Sequence, residues 1–535
     1  MPIPADVIIT NARVYTVDPT NPRAEAVAVN GRRIAFVGSA DVVKDWQGPG
    51  TRIIDAQQGM LLPGFIDSHF HLLSGSLKLG DIQLDPVDSL DSLATTVRAF
   101  AARQPDEPWL VGQGLRYSVV PPDQPLTRHQ LDKIIADRPL ILFAYDLHTA
   151  WANTAALRRA ELLAAGEPVA PNSEIVRDAA GQASGELRER GAYDPIMDLI
   201  PPLSEARQHQ LLKQGLSQLA ALGLTSVHNM DGDAGQLALY AALEQTGELT
   251  LRVYMPFDVT PETPPEALAE AVAMRETHQS EMVRGGCVKF FMDGVIETYT
   301  GLLVDDYASQ PGRRGGANFS PEHFTRMATE ADRLGLQIFV HAVGDGAVRR
   351  TLDGYAAAQR TNGPRDSRHR IEHIELIHPL DLPRFAGMDV VASMQPTHAP
   401  LPLEPDPWPV RVGPARWGCS FAWQTLRTAG AHLVFGSDWP VSGPNPLDGF
   451  YAALNRPLWA PDLPDQRQTL PDIIAAYTRD AAYAEFQEHH KGQLRPGFLA
   501  DLVLLSDDLF AVPTETIDRV HPVLTMCDGR VVYEA

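Results

Sequence analysis

Eight short apolar runs punctuate the middle of the chain, and stretches with helical patterning separate most of them. The runs are Leu61 to His69, Leu224 to Asn229, Leu251 to Met255, Cys287 to Met292, Gln337 to His341, Arg370 to His373, Val390 to Met394 and Leu433 to Gly436. Each is too short for a buried helix and reads as a strand covered on both faces. Ser204 to Leu222 and His323 to Leu334 carry apolar residues at helical spacing. Strand and helix in eightfold alternation predict an α/β fold, a (β/α)8 TIM-like barrel whose strands carry their chemistry at their C-terminal ends.

The spacing breaks once. About 150 residues separate the first and second runs, far more than a barrel crossover needs. An inserted subdomain is therefore expected, spanning about residues 75–205. Its own core would come from runs such as Trp109 to Gly112 and Leu140 to Phe143. The first sixty residues read differently, as short strands between turn signals, with Asn30-Gly31 marking a hairpin. The same texture returns at Leu502 to Leu505, Val523 to Thr525 and Arg530 to Tyr533. Neither end has strands enough to bury a sheet face alone, so one small β-sandwich is expected from residues 1–62 plus 490–535. The barrel would then occupy 63–489.

Charge and cysteine content narrow the function classes. Among 535 residues, 45 Lys and Arg stand against 67 Asp and Glu, a formal charge of −22 that disfavours a nucleic-acid partner. Three cysteines, Cys287, Cys419 and Cys527, are too few and scattered for a disulfide framework or a cysteine zinc site, and fit a reducing compartment. Met1 to Thr10 lacks the basic and apolar regions of a signal peptide, and no apolar run reaches the roughly 18 residues that span a bilayer. A cytoplasmic protein without membrane contact is expected.

The strand ends carry ligand-type side chains. His69 and His71 close the first run, and a strand period of two puts them on one side, where two imidazoles can chelate one cation. An isolated H-x-H reads equally as two histidines at a surface turn. Lys289 on the fourth run, His341 on the fifth, His373 on the sixth and Asp438 after the eighth add to the set. Barrel closure would bring these distant residues together. Only six residues of the chain are lysines, and Lys289 sits in one of its most apolar stretches, Gly286 to Met292. Burial there favours the neutral amine, which adds CO2 to form an anionic carbamate able to bridge two cations. The alternative is an ordinary ion pair with Asp293 or Glu297.

Taken together, Pro63-Gly64-Phe65-Ile66-Asp67-Ser68-His69-Phe70-His71, Val288-Lys289-Phe290-Phe291-Met292-Asp293-Gly294, Val340-His341-Ala342-Val343-Gly344-Asp345, Arg370-Ile371-Glu372-His373 and Phe435-Gly436-Ser437-Asp438-Trp439-Pro440 resemble the metal-dependent amidohydrolase superfamily. Within it the chain is similar to the amidohydrolase-3 group, which includes N-substituted formamide deformylases. The resemblance covers nearly the whole chain, including Gly497 to Val503, the return into the terminal β-module. It implies that His69, His71 and Asp438 hold one metal and His341 and His373 a second, with carboxylated Lys289 between them. Two Zn2+ per subunit are the expected cofactors, with Mn2+ or Fe2+ as alternatives. Asp438 would shuttle the proton during hydrolysis of a small-molecule amide, and a homodimer is a family expectation.

Further residues are candidates for contacting substrate: His148 in Tyr145 to Asn153, His228 after the second run, Glu297 and Tyr299 after the fourth, and His398 after the seventh. His148, His228 and the pair of Glu297 and Tyr299 have structural alternatives, respectively a hydrogen bond in the insert core, a capped strand end and turn chemistry. Phe70, Phe291, Met394 and Trp439 suggest an apolar mouth, and His489-His490 a solvated helix end. The leading expectation is hydrolysis of a non-peptide C–N bond, an amide or N-substituted formamide. The rival is a deaminase of a cyclic amidine, which in this superfamily carries a glutamate three residues after the fifth-strand histidine, where this chain has Gly344. A non-catalytic scaffold would have lost ligands that this chain retains.

Overall fold

The computed structural model describes residues 2–105, 107–121, 124–164, 173–400 and 407–535. At its centre are eight strands: β1 (Phe65–Phe70), β2 (Leu224–Asn229), β3 (Arg252–Val259), β4 (Val283–Phe291), β5 (Gln337–Ala342), β6 (Arg370–His373), β7 (Val391–Met394) and β8 (His432–Phe435). They lie side by side in chain order, and every neighbouring pair is parallel. The parallel order follows from the helices between them, such as Glu205–Ala221 and Pro321–Arg333, which return the chain to the same end. The second of these starts before the expected His323, because Ser320 caps His323 N–H and Pro321 suits the first helical turn.

The sheet curls until β8 meets β1, and that seam is closed beyond the end of the β8 ladder. Both oxygens of the Asp67 carboxylate accept the Ser437 N–H at 3.0 Å, and Oδ1 also accepts the His69 N–H at 3.0 Å. Asp438 N–H donates to the His69 carbonyl at 2.8 Å, and His71 N–H donates to that of Trp439 at 3.0 Å. Gly436 permits this approach: a Cβ there would lie 2.5 Å from His69 N and 2.6 Å from Asp67 Oδ1. Burial pushes the Asp67 carboxyl up to about 7.

The first apolar run splits at Gly64. Met60–Pro63 is a strand of another sheet, antiparallel to Leu502–Leu505 and parallel to Arg13–Tyr15, and only the residues from Phe65 enter the barrel. Periodicity could not show the break, because both halves are fully buried. Gly64 turns the chain against β2, where a Cβ would lie 2.3 Å from Thr225.

The barrel interior is polar. The Arg370 guanidinium, fully buried, meets the Ser68 carbonyl from β1, His228 Nδ1 at 2.7 Å from β2, Glu372 on its own strand, and Ser393 Oγ at 2.9 Å from β7. Below it His228 Nε2 lies 3.1 Å from Glu485 Oε1, and Lys491 Nζ lies 2.5 Å from the same oxygen and 2.6 Å from Ser226 Oγ. Lys491 is thus a second deeply buried lysine, which its neighbourhood of charged and polar residues did not announce, whereas His489 beside it is 86% exposed as expected.

Two further sheets flank the barrel. Val7–Thr10, Ala26–Asn30, Arg33–Gly38 and Arg52–Asp55 form one, with Gly31 at a φ of 55° in the expected hairpin. Arg13–Tyr15, Arg23–Ala24, Met60–Pro63, Leu502–Leu505, Pro522–Cys527 and Arg530–Glu534 form the other, and one apolar cluster draws Ile9, Val27 and Val29 from the first and Val14, Leu61, Leu502 and Leu524 from the second. Between β1 and β2 lies a six-stranded sheet running from Ile82–Gln83 to Ala183–Arg188. Its Leu140–Ala144 strand sends Leu140 and Leu142 into one apolar cluster and Ile141 and Phe143 into another, so both faces are covered. Among the described residues no helix is long and apolar enough to cross a membrane.

The barrel floor makes a testable statement about acid stability. Burial alone would raise the Glu485 carboxyl, but Lys491 and His228 outweigh it and hold it at about 2. The unfolded chain therefore binds more protons than the folded one between about pH 4.5 and pH 2, and this contribution to stability is lost as pH falls through that window. Glu485→Gln should lower urea stability by about 3 kcal/mol at neutral pH. The gap from the unsubstituted protein should narrow as pH drops below about 4.5.

Candidate metal centre

At the C-terminal mouth of the barrel, imidazoles from β1 and the residue after it converge on a carboxylate from the β8 end. His69 Nε2 lies 3.3 Å and His71 Nε2 3.2 Å from Asp438 Oδ1. His71 stands just past β1, at the start of the helix Leu72–Lys78, so its position owes as much to the helix entry as to strand alternation. The His373 ring is 4.6 Å from that of His69 and 4.4 Å from that of His341, centroid to centroid. His373 and Asp438 both have left-handed backbone, φ 73° and 60°. Such conformations are costly for side-chain-bearing residues and gather at functional sites. At His373 the left-handed turn is where the chain leaves strand alternation, which would send Glu372 and His373 to opposite faces.

Each of the four histidines has one ring nitrogen tied to an acceptor. His69 Nδ1 lies 2.8 Å from Glu372 Oε2, His71 Nδ1 2.8 Å from Asp231 Oδ2, His373 Nδ1 2.8 Å from Gln395 Oε1, and His341 Nε2 3.2 Å from the Gly294 carbonyl. Because these partners accept, the tied nitrogens carry protons, and in His341 and His373 the opposite nitrogens keep their lone pairs. Burial holds His341 and His373 well below the ordinary histidine range and therefore neutral. For His71, burial pulls downward, but Asp231 and Asp438 outweigh it and raise the group to about 9, so a cation arriving there displaces a proton. Burial alone would raise Asp438, yet the facing His69, His71 and His373 hold it well below the usual carboxylate range, an anion beside three imidazoles.

Lys289 lies fully buried on β4, with no hydrogen-bond acceptor within reach of Nζ among the described residues. The ordinary ion pair with Asp293 or Glu297 is not what the structure contains. Asp293 is occupied by the backbone N–H groups of Leu302, Val343 and Gly344, at 2.8 to 3.0 Å. Lys289 Nζ instead stands 4.7 Å from the centre of the Phe291 ring, which packs on His341. Desolvation drives its pKa down toward the neutral amine. An orphaned amine, a convergent set of imidazoles and one carboxylate fit divalent cations.

The remaining candidates divide. His398 joins the mouth: its ring stacks on His373 at 5.9 Å, and its buried Nε2 is 3.9 Å from Asp438 Oδ2 with no hydrogen-bond partner. His373, His398 and Asp438 form a second set of potential ligand atoms within 4.8 Å of one another. His148 lies at the edge, 6.1 Å from the His341 ring and 2.8 Å from Glu189. Burial would lower it, but Glu189 raises it to about 9. His228 is not at the mouth; its ring is wedged between Arg370 and Glu485, and burial, aided by Arg370 and Lys491, outweighs the opposing pull of Glu485 and drives it down to about 4. Glu297 is half-buried in the loop after β4, where Tyr299 takes a φ of 62° and lies 4.4 Å under the Arg411 guanidinium. Of the aromatic mouth, Phe291 touches the site, while Phe70 and Met394 are core.

Asp231, Glu372, Gln395 and Glu189 escaped the reading of the sequence. A signal existed for Glu372, which shares a strand face with Arg370 two residues earlier; for Asp231 and Glu189, which lie outside the quoted motifs, none did.

A family model described as "Amidohydrolase family" matches residues 52–533. The chain is 31% identical to Protein LONG AFTER FAR-RED 3 of Arabidopsis thaliana, over 94% of this chain and 88% of that protein. It is 27% identical to an N-substituted formamide deformylase of Arthrobacter pascens, over 99% and 98% of the two chains. An uncharacterized metal-dependent hydrolase from Pyrococcus horikoshii OT3 superposes with a TM-score of 0.73 at 25% identity, covering 95% of this chain and 99% of that one.

The partners behind the imidazoles provide a direct test. Glu372→Gln and Asp231→Asn should each weaken zinc binding by about 10- to 100-fold, measured by competition with a chromogenic chelator. A variant at exposed Asp41 should leave it unchanged.

Proposed function

The chain belongs to the amidohydrolase family, metal-dependent hydrolases of carbon–nitrogen bonds, and from that premise we propose that it cleaves a non-peptide amide, with N-substituted formamides as the substrate class. The observation that carries this reading is the meeting of His69, His71 and Asp438 with His373 and His341 at the strand ends, together with a buried Lys289 whose Nζ has no hydrogen-bond partner among the described residues. On this reading His69, His71 and Asp438 would hold one divalent metal and His341 and His373 a second, and the neutral Lys289 amine, adding CO2 with release of one proton, would supply a carbamate as a further ligand. Zinc suits the imidazole-rich set.

When bound, such metals acidify a water molecule and polarise a carbonyl oxygen. The chain's own groups supply the rest. Asp438 Oδ1 faces the two β1-end imidazoles while Oδ2 faces His373 and His398, each 3.9 Å away, so this carboxylate spans the donor set. It is placed to take the proton of the attacking water and return it to the leaving nitrogen. Phe291 and the buried surroundings of Lys289 limit water at the same point. His148, His398 and Glu297 remain the candidates for holding the substrate. The relation to a formamide deformylase over nearly the full length of both chains supports the formamide class.

The deaminase reading loses ground at Gly344, which has no space for a side chain: a Cβ would lie 2.1 Å from the Leu302 carbonyl oxygen. In domain terms, the apolar cluster shared by the two flanking sheets supports one composite β-sandwich from residues 1–62 plus 490–535, with the barrel at 63–489 and the insert at 75–205.

Lys289→Ala should lose the second metal and nearly all turnover while thermal unfolding stays close to that of the unsubstituted protein, read by elemental analysis and calorimetry. Two metals per chain with full activity in that variant would end the bridging role. N-formyl, N-acyl and cyclic amides offered to zinc-loaded protein, with released amine and ammonia assayed separately, should yield amine from the N-formyl compounds. Ammonia from an aminated ring would instead establish the deaminase.

A further inference from the structure

His148 lies in the bend just before the Thr149–Ala152 strand of the inserted sheet, yet its ring stands 6.1 Å from that of His341 on the barrel. The backbone before it is left-handed at Leu147, φ 62°, and the Leu147 carbonyl accepts from Tyr193 Oη at 3.0 Å. Asp146 Oδ1 accepts the His148 N–H at 2.9 Å, and Asp146 Oδ2 is itself held by Tyr117 Oη at 2.9 Å. On the other side Glu189, also left-handed at φ 64°, donates its N–H to the His148 carbonyl at 2.8 Å and receives the ring's Nδ1 on Oε2 at 2.8 Å. Side chains rarely adopt such backbone angles, so tertiary contacts impose them on both residues flanking this arrangement.

Glu189 also grips the barrel. Its Oε1 accepts from Thr298 Oγ1 at 3.0 Å and from Thr300 Oγ1 at 2.6 Å, both in the loop that follows the Lys289 strand. That loop closes on Gly294, where a Cβ would lie 2.1 Å from Thr300 Oγ1 and 2.9 Å from Glu189 Oε1. The Gly294 carbonyl is the partner of His341 Nε2. One chain of contacts thus leaves the insert at His148, passes through Glu189, Thr300 and Gly294, and ends at a candidate metal donor. A ring tied to a carboxylate through Nδ1 keeps Nε2 for a further partner.

We propose that His148 is the insert's contribution to the active site, offering Nε2 to the amide group of the substrate, and that Glu189 is its positioning residue, fixing ring and insert against the barrel. This rests on the metal-dependent hydrolase reading given above. Loss of Glu189 should free the ring to rotate and separate it from the site while the metal donors stay in place.

The test uses the full chain as Glu189→Gln, Glu189→Ala, His148→Asn and the Glu189→Ala/His148→Asn double variant. In metal-free protein, Glu189→Gln should move the His148 ring resonances in a nitrogen–proton spectrum, assigned by their absence in His148→Asn. After zinc loading, metal per chain should be equal in all forms. Acetohydroxamate, an amide-like zinc probe, should bind about tenfold more weakly to Glu189→Ala and to His148→Asn, and no more weakly to the double variant than to either single one. Unmoved ring resonances in Glu189→Gln, unchanged acetohydroxamate affinity in His148→Asn, or additive losses in the double variant would each overturn the proposal. Unsubstituted protein that takes up no zinc would instead overturn the metal reading beneath it, and the ring resonances alone would still decide whether Glu189 holds His148.

Discussion

Closure of the barrel seam by the Asp67 carboxylate is the constraint on which the mouth of the barrel depends. The β1 and β8 edges do not meet through a regular ladder; the Asp67 side chain supplies acceptors for N–H groups of Ser437 and His69, and Asp438 N–H reaches the His69 carbonyl. Main-chain bonds set the spacing of β1 from the Gly436-Ser437-Asp438 segment. The approach of His69 and His71 to Asp438 therefore follows from seam geometry, not from attraction between the side chains alone. Gly436 is part of the same constraint, since any side chain there would push the two edges apart.

Beneath the mouth, a series of buried charged and polar groups runs from residue to residue. Lys491 meets Glu485, Glu485 meets His228, His228 meets Arg370, Arg370 meets Glu372, and Glu372 meets His69. Removing these charges from water is costly, and each is tolerable because the next group in the series answers it. A packed apolar interior would have been cheaper for stability, but it would have left His69 free to choose its tautomer and orientation. The column settles both, from the floor to the candidate metal centre.

Strain marks the other junctions. Left-handed backbone occurs at His373, Asp438, Leu147 and Glu189, which deliver or flank side chains at the barrel mouth. In each case neighbouring hydrogen bonds outnumber the distortion, so the conformations are imposed by the assembled fold and not by local preference. Glu189 ties its segment, through Thr298 and Thr300, to the loop whose Leu302 N–H donates to Asp293.

What the sequence by itself determined is the set of short buried strands, their alternation with helices, and the ligand-type residues at their ends, because burial periodicity and residue chemistry are local properties. The Lys289 anomaly was legible for the same reason: an ammonium in an apolar run is conspicuous without coordinates. The split at Gly64 was invisible because two strands buried in different sheets make one unbroken apolar run. The burial of Lys491 and the place of His228 were not legible because their partners, Glu485 and Arg370, lie on segments distant or unmarked in the sequence. Only tertiary structure decided which nitrogen of each histidine is tied, which carboxylates stand behind them, and that Glu189 and His148 reach the barrel mouth, since those facts depend on angles between elements that chain order does not encode.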